Sequence, residues 1–107
     1  MEDPMFAKFL LGRLRVDDNV RSALQRTPLD LIARHAVCDF GTASNRRVKQ
    51  NLLALEEGSE IRSEYPIDPT DPTKGSVSVV TTAGWGETKV ALVKTQPKRK
   101  KPDGLPF

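Results

Sequence analysis

The chain has 107 residues, which allows one domain of ordinary size and leaves no material for a second core. It is 37% hydrophobic and 29% charged, a balance that fits a water-soluble protein with a modest core, and its longest apolar runs, such as Leu52–Leu55, fall far short of the roughly 20 residues that a membrane span needs. The net charge of +3 is uneven: residues from 94 onward carry +4, and residues 1–93 carry −1, so basicity belongs to the end of the chain.

The opening "MEDPMFAKFLLGRLR" begins with acids and has neither a basic leader nor a long apolar segment, so cytoplasm is the expected compartment. A single cysteine excludes a disulfide framework within the chain and agrees with a reducing environment. "FLLGRLRV" sets Leu14 and Val16 against Arg13 and Arg15, the alternation of a short strand with one buried face. Asp17 and Asp18 offer caps for a short helix, "NVRSALQR", with Val20, Ala23 and Leu24 on one side. Thr27-Pro28 then starts "PLDLIARHA", because threonine can cap and proline suits a first helical turn.

"TASNRRVKQNLLALEEG" has the clearest helical signature. Thr42 or Ser44 can cap it, Val48, Leu52 and Leu55 form a candidate core stripe, and Gly58 can end it in a left-handed conformation. Its charges oppose the helix dipole: Arg46, Arg47 and Lys49 crowd the positive end, and Glu56 and Glu57 crowd the negative end. Each such mismatch costs about 0.3–1 kcal/mol when exposed, which suggests a purpose other than stability.

After Gly58 the period becomes two. "SEIRSEYPI" alternates Ile61, Ser63 and Tyr65 with Arg62 and Glu64 and ends at Pro66, and "DPTDPTKG" reads as a loop. "SVSVVTTA" and "ETKVALVK" are two further strands, joined as a hairpin by Gly84-Trp85-Gly86. From residue 95 the chain is polar and proline-punctuated, which predicts a flexible basic tail after an α+β domain over residues 1–94. The expected fold is a short N-terminal strand, three helices and a small antiparallel sheet ending in the hairpin, its inner face covered by the helices.

The order Arg34-His35, Asp39-Phe40-Gly41, Asn51, Ala54-Leu55, Gly58, Ser63 and Tyr65, Gly75, Thr81 or Thr82, and Thr88 is similar to that of a family of small "plasmid-related" proteins encoded on plasmids and integrated mobile elements. The resemblance covers roughly Leu11 to Val93 and implies a mobile-element origin and a bacterial cytosol, with no established reaction. The chain departs from the family at Cys38, where a glycine is usual, and in the absence of a tryptophan from Ser76–Ala83. Its Asp68–Lys74 loop is longer, and a basic tail replaces a short acidic ending.

Several constellations invite chemistry. Asp39-Phe40-Gly41 matches the metal-binding tripeptide of protein kinases, but the glycine-rich loop, strand lysine and catalytic loop that a kinase also needs are missing. The tripeptide instead suits a structured corner: Asp39 bonding backbone N–H groups, Phe40 filling the core, Gly41 taking positive φ. His35 and Cys38 are too few for a structural zinc site, and a nucleophile–base pair would need both side chains in contact and a third orienting group. No catalytic residue, metal ligand, cofactor or small-molecule substrate is therefore expected.

A macromolecular contact surface is the better expectation. Arg46, Arg47 and Lys49 would project from the third helix if Val48, Leu52 and Leu55 face the core, and Trp85 sits at the hairpin tip as an interface anchor or a lid over the core. Lys98, Arg99, Lys100 and Lys101 can attract polyanions. The leading expectation is a non-enzymatic accessory protein of a mobile element, acting on a protein partner such as a host defence complex. The alternative is a winged-helix-like DNA-binding regulator that uses Arg46, Arg47, Lys49 and the tail.

Overall fold

The computed structural model describes residues 9–93; the tail from 95, with Lys98, Arg99, Lys100 and Lys101, lies outside the described residues. In chain order the elements are β1 (Arg13–Val16), α1 (Asp18–Leu24), α2 (Leu29–Ala36), α3 (Asn45–Glu57), β2 (Ile61–Pro66), β3 (Ser76–Thr81) and β4 (Glu87–Val93), with a 3₁₀ turn at Pro72–Lys74 in the loop before β3. This is an α+β fold. No described helix is long and apolar enough to cross a membrane.

The four strands form one sheet in the order β1-β4-β3-β2. β2, β3 and β4 are antiparallel neighbours, and β1 joins β4 in parallel through the register Arg13↔Glu87 to Val16↔Val90, so the sheet is mixed. Parallel pairing needs a long crossover between the paired strands. Here that path includes all three helices: α1 and α2 pack on the buried face of the sheet, and α3 packs along β2. β1 starts directly after Gly12, whose φ of 67° and missing side chain let the chain pass against the Gly86 backbone, 2.3 Å from where a Cβ would stand. The strand itself is largely exposed, Leu14 included.

The covered face carries Ile61, Ser63 and Tyr65 from β2, Val77, Val79 and Thr81 from β3, and Thr88 and Val90 from β4, all buried. One apolar cluster joins Val20, Leu31 and Ile32 of α1 and α2 to Tyr65, Val77, Val79 and Val90. A second joins Phe9, Phe40, Ala54 and Ile61.

Helix capping follows the local chemistry only in part. Ser44 accepts a bond from the Arg47 N–H, and Gly58 closes α3 at φ 72°. Neither Asp17 nor the Thr27-Pro28 pair supplies a side-chain cap; α1 and α2 begin without one. The core stripe of α3 is rotated from the expected Val48, Leu52, Leu55. Asn51 and Ala54 are buried, Val48 and Leu55 are half-buried, and Leu52 is 50% exposed. The reason is the surface α3 meets: it packs on β2, whose outer backbone groups need polar partners, and Asn51 supplies them. At 3.6 residues per turn, one residue of rotation carries Leu52 about 100° away from that contact.

Candidate functional site

Two constellations stand out, one sealed inside and one on the surface. The inner one starts from His35 in the last turn of α2, which lies completely buried on the sheet. Its Nδ1 is 2.6 Å from Ser63 Oγ and its Nε2 2.9 Å from Thr81 Oγ1. Thr81 Oγ1 is 2.6 Å from Thr88 Oγ1, which in turn lies 2.6 Å from the Leu11 carbonyl.

The direction of every proton in this row follows from its end. A carbonyl only accepts, so the Thr88 hydroxyl donates to Leu11 and must accept from Thr81. Thr81, having given its one proton, accepts from His35 Nε2–H, and the bare Nδ1 accepts from the Ser63 hydroxyl. The imidazole is thus the neutral Nε2–H tautomer. Burial agrees, pulling the His35 pKa down to about 4.

A hydroxyl 2.6 Å from an imidazole has the spacing of a nucleophile and its base. Neither side chain is exposed, and the group on the far nitrogen is a threonine hydroxyl, which cannot stabilise an imidazolium as a carboxylate does. The row holds α2, all three antiparallel strands and the segment before β1 together. Phe9 closes it from above, its ring edge-on to His35 at 5.2 Å.

The corner after α2 is built from the same kind of bonds. Arg34 makes a two-pronged contact to Asp39, at 2.7 and 3.3 Å, and its guanidinium covers the Tyr65 ring at 4.7 Å. Arg34 holds the Asp39 carboxyl below its usual pKa, and burial pushes Tyr65 up to about 12. The Tyr65 hydroxyl donates to the Asp39 carbonyl, and Asp39 Oδ1 accepts from the Gly41 N–H at 3.2 Å. Gly41 has φ 67°, and Phe40 is buried. Cys38 also takes positive φ, 67°, and packs half-buried on the second cluster. Among the described residues no group of three or more His, Cys, Asp or Glu is placed to hold a metal.

The surface residues that the sequence nominated separate. Arg46 and Lys49 are exposed on α3. Arg47 is turned inward, contrary to its expected projection: its Nε donates to Asn51 Oδ1 at 3.1 Å and its Nη2 to the Glu60 carbonyl at 3.3 Å, because those acceptors lie on the side of α3 that meets β2. Trp85 folds back rather than standing free. Its indole N–H donates to the Ser59 carbonyl at 3.0 Å, its ring lies 5.6 Å from Phe9, and the neighbouring Gly84 N–H donates to Gly58 at 2.7 Å. The hairpin tip is therefore pinned to the end of α3.

What the sequence reading missed is on the outer face of α3. Leu52 and Leu53 are 50% and 59% exposed, and with Lys49 and Glu56 they line a shallow apolar depression. The signal was available: two adjacent leucines lie about 100° apart on a helix, and Lys49, Leu52, Leu53 and Glu56 stand at i, i+3, i+4 and i+7, which is itself a helix stripe.

The residues that carry the family resemblance are, for the most part, those of the inner framework: His35, Ser63, Thr81 and Thr88 in the buried row, Arg34, Asp39 and Tyr65 at the corner, and Asn51 against β2. Comparison with protein-family models, with curated proteins and with solved structures finds no match to this chain.

Proposed function

We propose that this protein acts by binding another protein, without catalysis, through the outward face of α3. The observation that carries this reading is the Leu52–Leu53 patch, which is more than incidental exposure: two adjacent large apolar side chains lie on the surface, bracketed by a cation and an anion. The inner polar groups support it from the other side, since their hydrogen bonds run to one another and to the Leu11 carbonyl, and the His35 and Ser63 side chains are buried. The family resemblance suggests the biological setting, an accessory protein of a mobile element in the bacterial cytosol; inhibition of a host defence complex is the role proposed within it.

The winged-helix-like DNA-binding reading has less support. Of its three helix cations Arg47 is engaged internally, Leu52 and Leu53 occupy the middle of the proposed contact helix, and the Gly84–Gly86 tip is tied down. Affinity capture from a bacterial host, with and without nuclease, tests the two. A protein that stays bound after nuclease and is lost with Leu52→Asp/Leu53→Asp is the expected result. Recovery of nucleic acid alone would overturn the protein-binding reading.

A further inference from the structure

The exposed stripe of α3 has an internal symmetry. Read from its N-terminal end it runs Lys49, Leu52, Leu53, Glu56; read from the other end, with the charges exchanged, it is the same stripe. We propose that this face binds a second copy of the chain, α3 against α3 and antiparallel, about a two-fold axis through the midpoint of Leu52 and Leu53. The proposal rests on the outer face of α3 being a protein-contact surface and names its occupant in the free protein, a second copy that a tighter partner would displace from the same face.

A two-fold interface must be self-complementary, because each residue meets the residue related to it by the axis. Around this midpoint Leu52 meets Leu53 of the second copy and Lys49 meets Glu56 of the second copy, and each pair occurs twice. The spacing i, i+3, i+4, i+7 keeps all four side chains on one helix face. Among the described residues neither Lys49 nor Glu56 takes part in an ion pair within the chain, so both are available across the axis.

The same arrangement accounts for the inverted charge order of α3. Within one helix, Arg46 and Lys49 near the N-terminus and Glu56 and Glu57 near the C-terminus oppose the dipole. In an antiparallel pair each end lies beside the opposite end of its neighbour, so cations at one N-terminus face the carbonyl end and the glutamates of the other helix. One alternative route to self-association, β2 adding to β2 at the sheet edge, is closed by Asn51, Arg47, Phe40 and Thr42. The α3 patch is small beside the roughly 800 Å² per partner of a standard interface, so the dimer is weak and concentration-dependent.

Analytical ultracentrifugation of the full chain from roughly 1 μM to 1 mM is the test. The expected result is reversible dimerisation that Lys49→Glu or Glu56→Lys each weakens about tenfold or more by setting like charges together. The double reversal Lys49→Glu/Glu56→Lys restores wild-type association, and an equimolar mixture of the two single variants forms a mixed dimer. Circular dichroism accompanies each variant, and since all these side chains lie on the surface, the fold is expected to survive. A wild-type chain that stays monomeric throughout, or a dimer indifferent to the reversals, overturns the proposal. If the chain is monomeric yet nuclease-resistant capture is still lost with Leu52→Asp/Leu53→Asp, only the identity of the occupant falls; if capture also ignores those leucines, the reading of the face falls with it.

Discussion

His35 shows what a fully buried polar side chain demands of its neighbours. Its two nitrogens are both used, one as donor to Thr81 and one as acceptor from Ser63, and in that arrangement the ring is neutral. Protonation would bury a charge, and burial accordingly pulls the pKa down to about 4. The unfolded chain, with an ordinary histidine value near 6.5, takes up the proton first as pH falls, so the His35 contribution is complete above about 6.5 and is lost on the way down to about 4. Its size is about 3 kcal/mol. Urea denaturation of wild type and His35→Gln across this range should show the gap between them narrowing toward pH 4; a constant gap would mean that His35 is not held neutral. At the far end of the row, Thr88→Val removes the donor to Leu11 and the acceptor for Thr81, with an expected loss of about 1–3 kcal/mol by the same measurement. None of these partnerships is visible in the sequence, because Ser63 and Thr81 lie 28 and 46 positions from His35. The corner at Asp39-Phe40-Gly41 could be read because the turn chemistry is local.

At the scale of elements, the outer edge of β2 decides how α3 and the corner are used. An edge strand presents unpaired N–H and C=O groups that invite another strand. Here the Glu60 carbonyl accepts from Arg47, Arg62 gives its N–H to Asn51 Oδ1 and takes Nδ2–H on its carbonyl, and Glu64 exchanges backbone bonds with Phe40 and Thr42. The last exchange requires Gly41: a Cβ there would stand 2.1 Å from the Glu64 carbonyl oxygen, at a φ that already disfavours a side chain. Asn51→Leu should therefore cost about 1–2 kcal/mol, since it strands two partly buried backbone groups, and should raise aggregation measured by light scattering. An unchanged melting temperature in that variant would contradict the role given to Asn51. The existence and type of the helices and strands were legible, since they follow from period and turn residues. The rotation of α3 was not, because counting apolar positions assumes an apolar neighbour, and α3 meets a backbone edge instead. Nor could the parallel pairing of β1 be read from four residues whose partner, β4, begins 71 positions after Val16.

Over the whole molecule, charge separates the surfaces. Residues 1–93 carry −1 in total, and many of the described cations are matched locally: Arg15 with Glu87, Arg26 with Asp30, Arg34 with Asp39 and Lys74 with Asp68. A basic stretch follows only at Lys98, Arg99, Lys100 and Lys101. Any attraction to duplex DNA should therefore come from the tail, with α3 as a bystander. Because Arg47 helps to fix α3 on β2, reversing it would confuse a binding defect with a folding defect. The cleaner probe is Arg46→Glu/Lys49→Glu, both on the surface. In fluorescence anisotropy at low salt, that variant should bind a duplex within about twofold of a wild-type chain, whereas removal of residues 95–107 should abolish binding. Each phosphate neutralised contributes about 0.9 to the salt slope, so the tail's four cations limit the slope to about −4, and the double reversal should leave it there. A slope that drops by about two units in Arg46→Glu/Lys49→Glu would put both cations on phosphates and return α3 to the role of a DNA-contacting helix. That outcome would also set Leu52 and Leu53 against a polyanion, a placement their apolar side chains disfavour and their pairing across a two-fold axis does not.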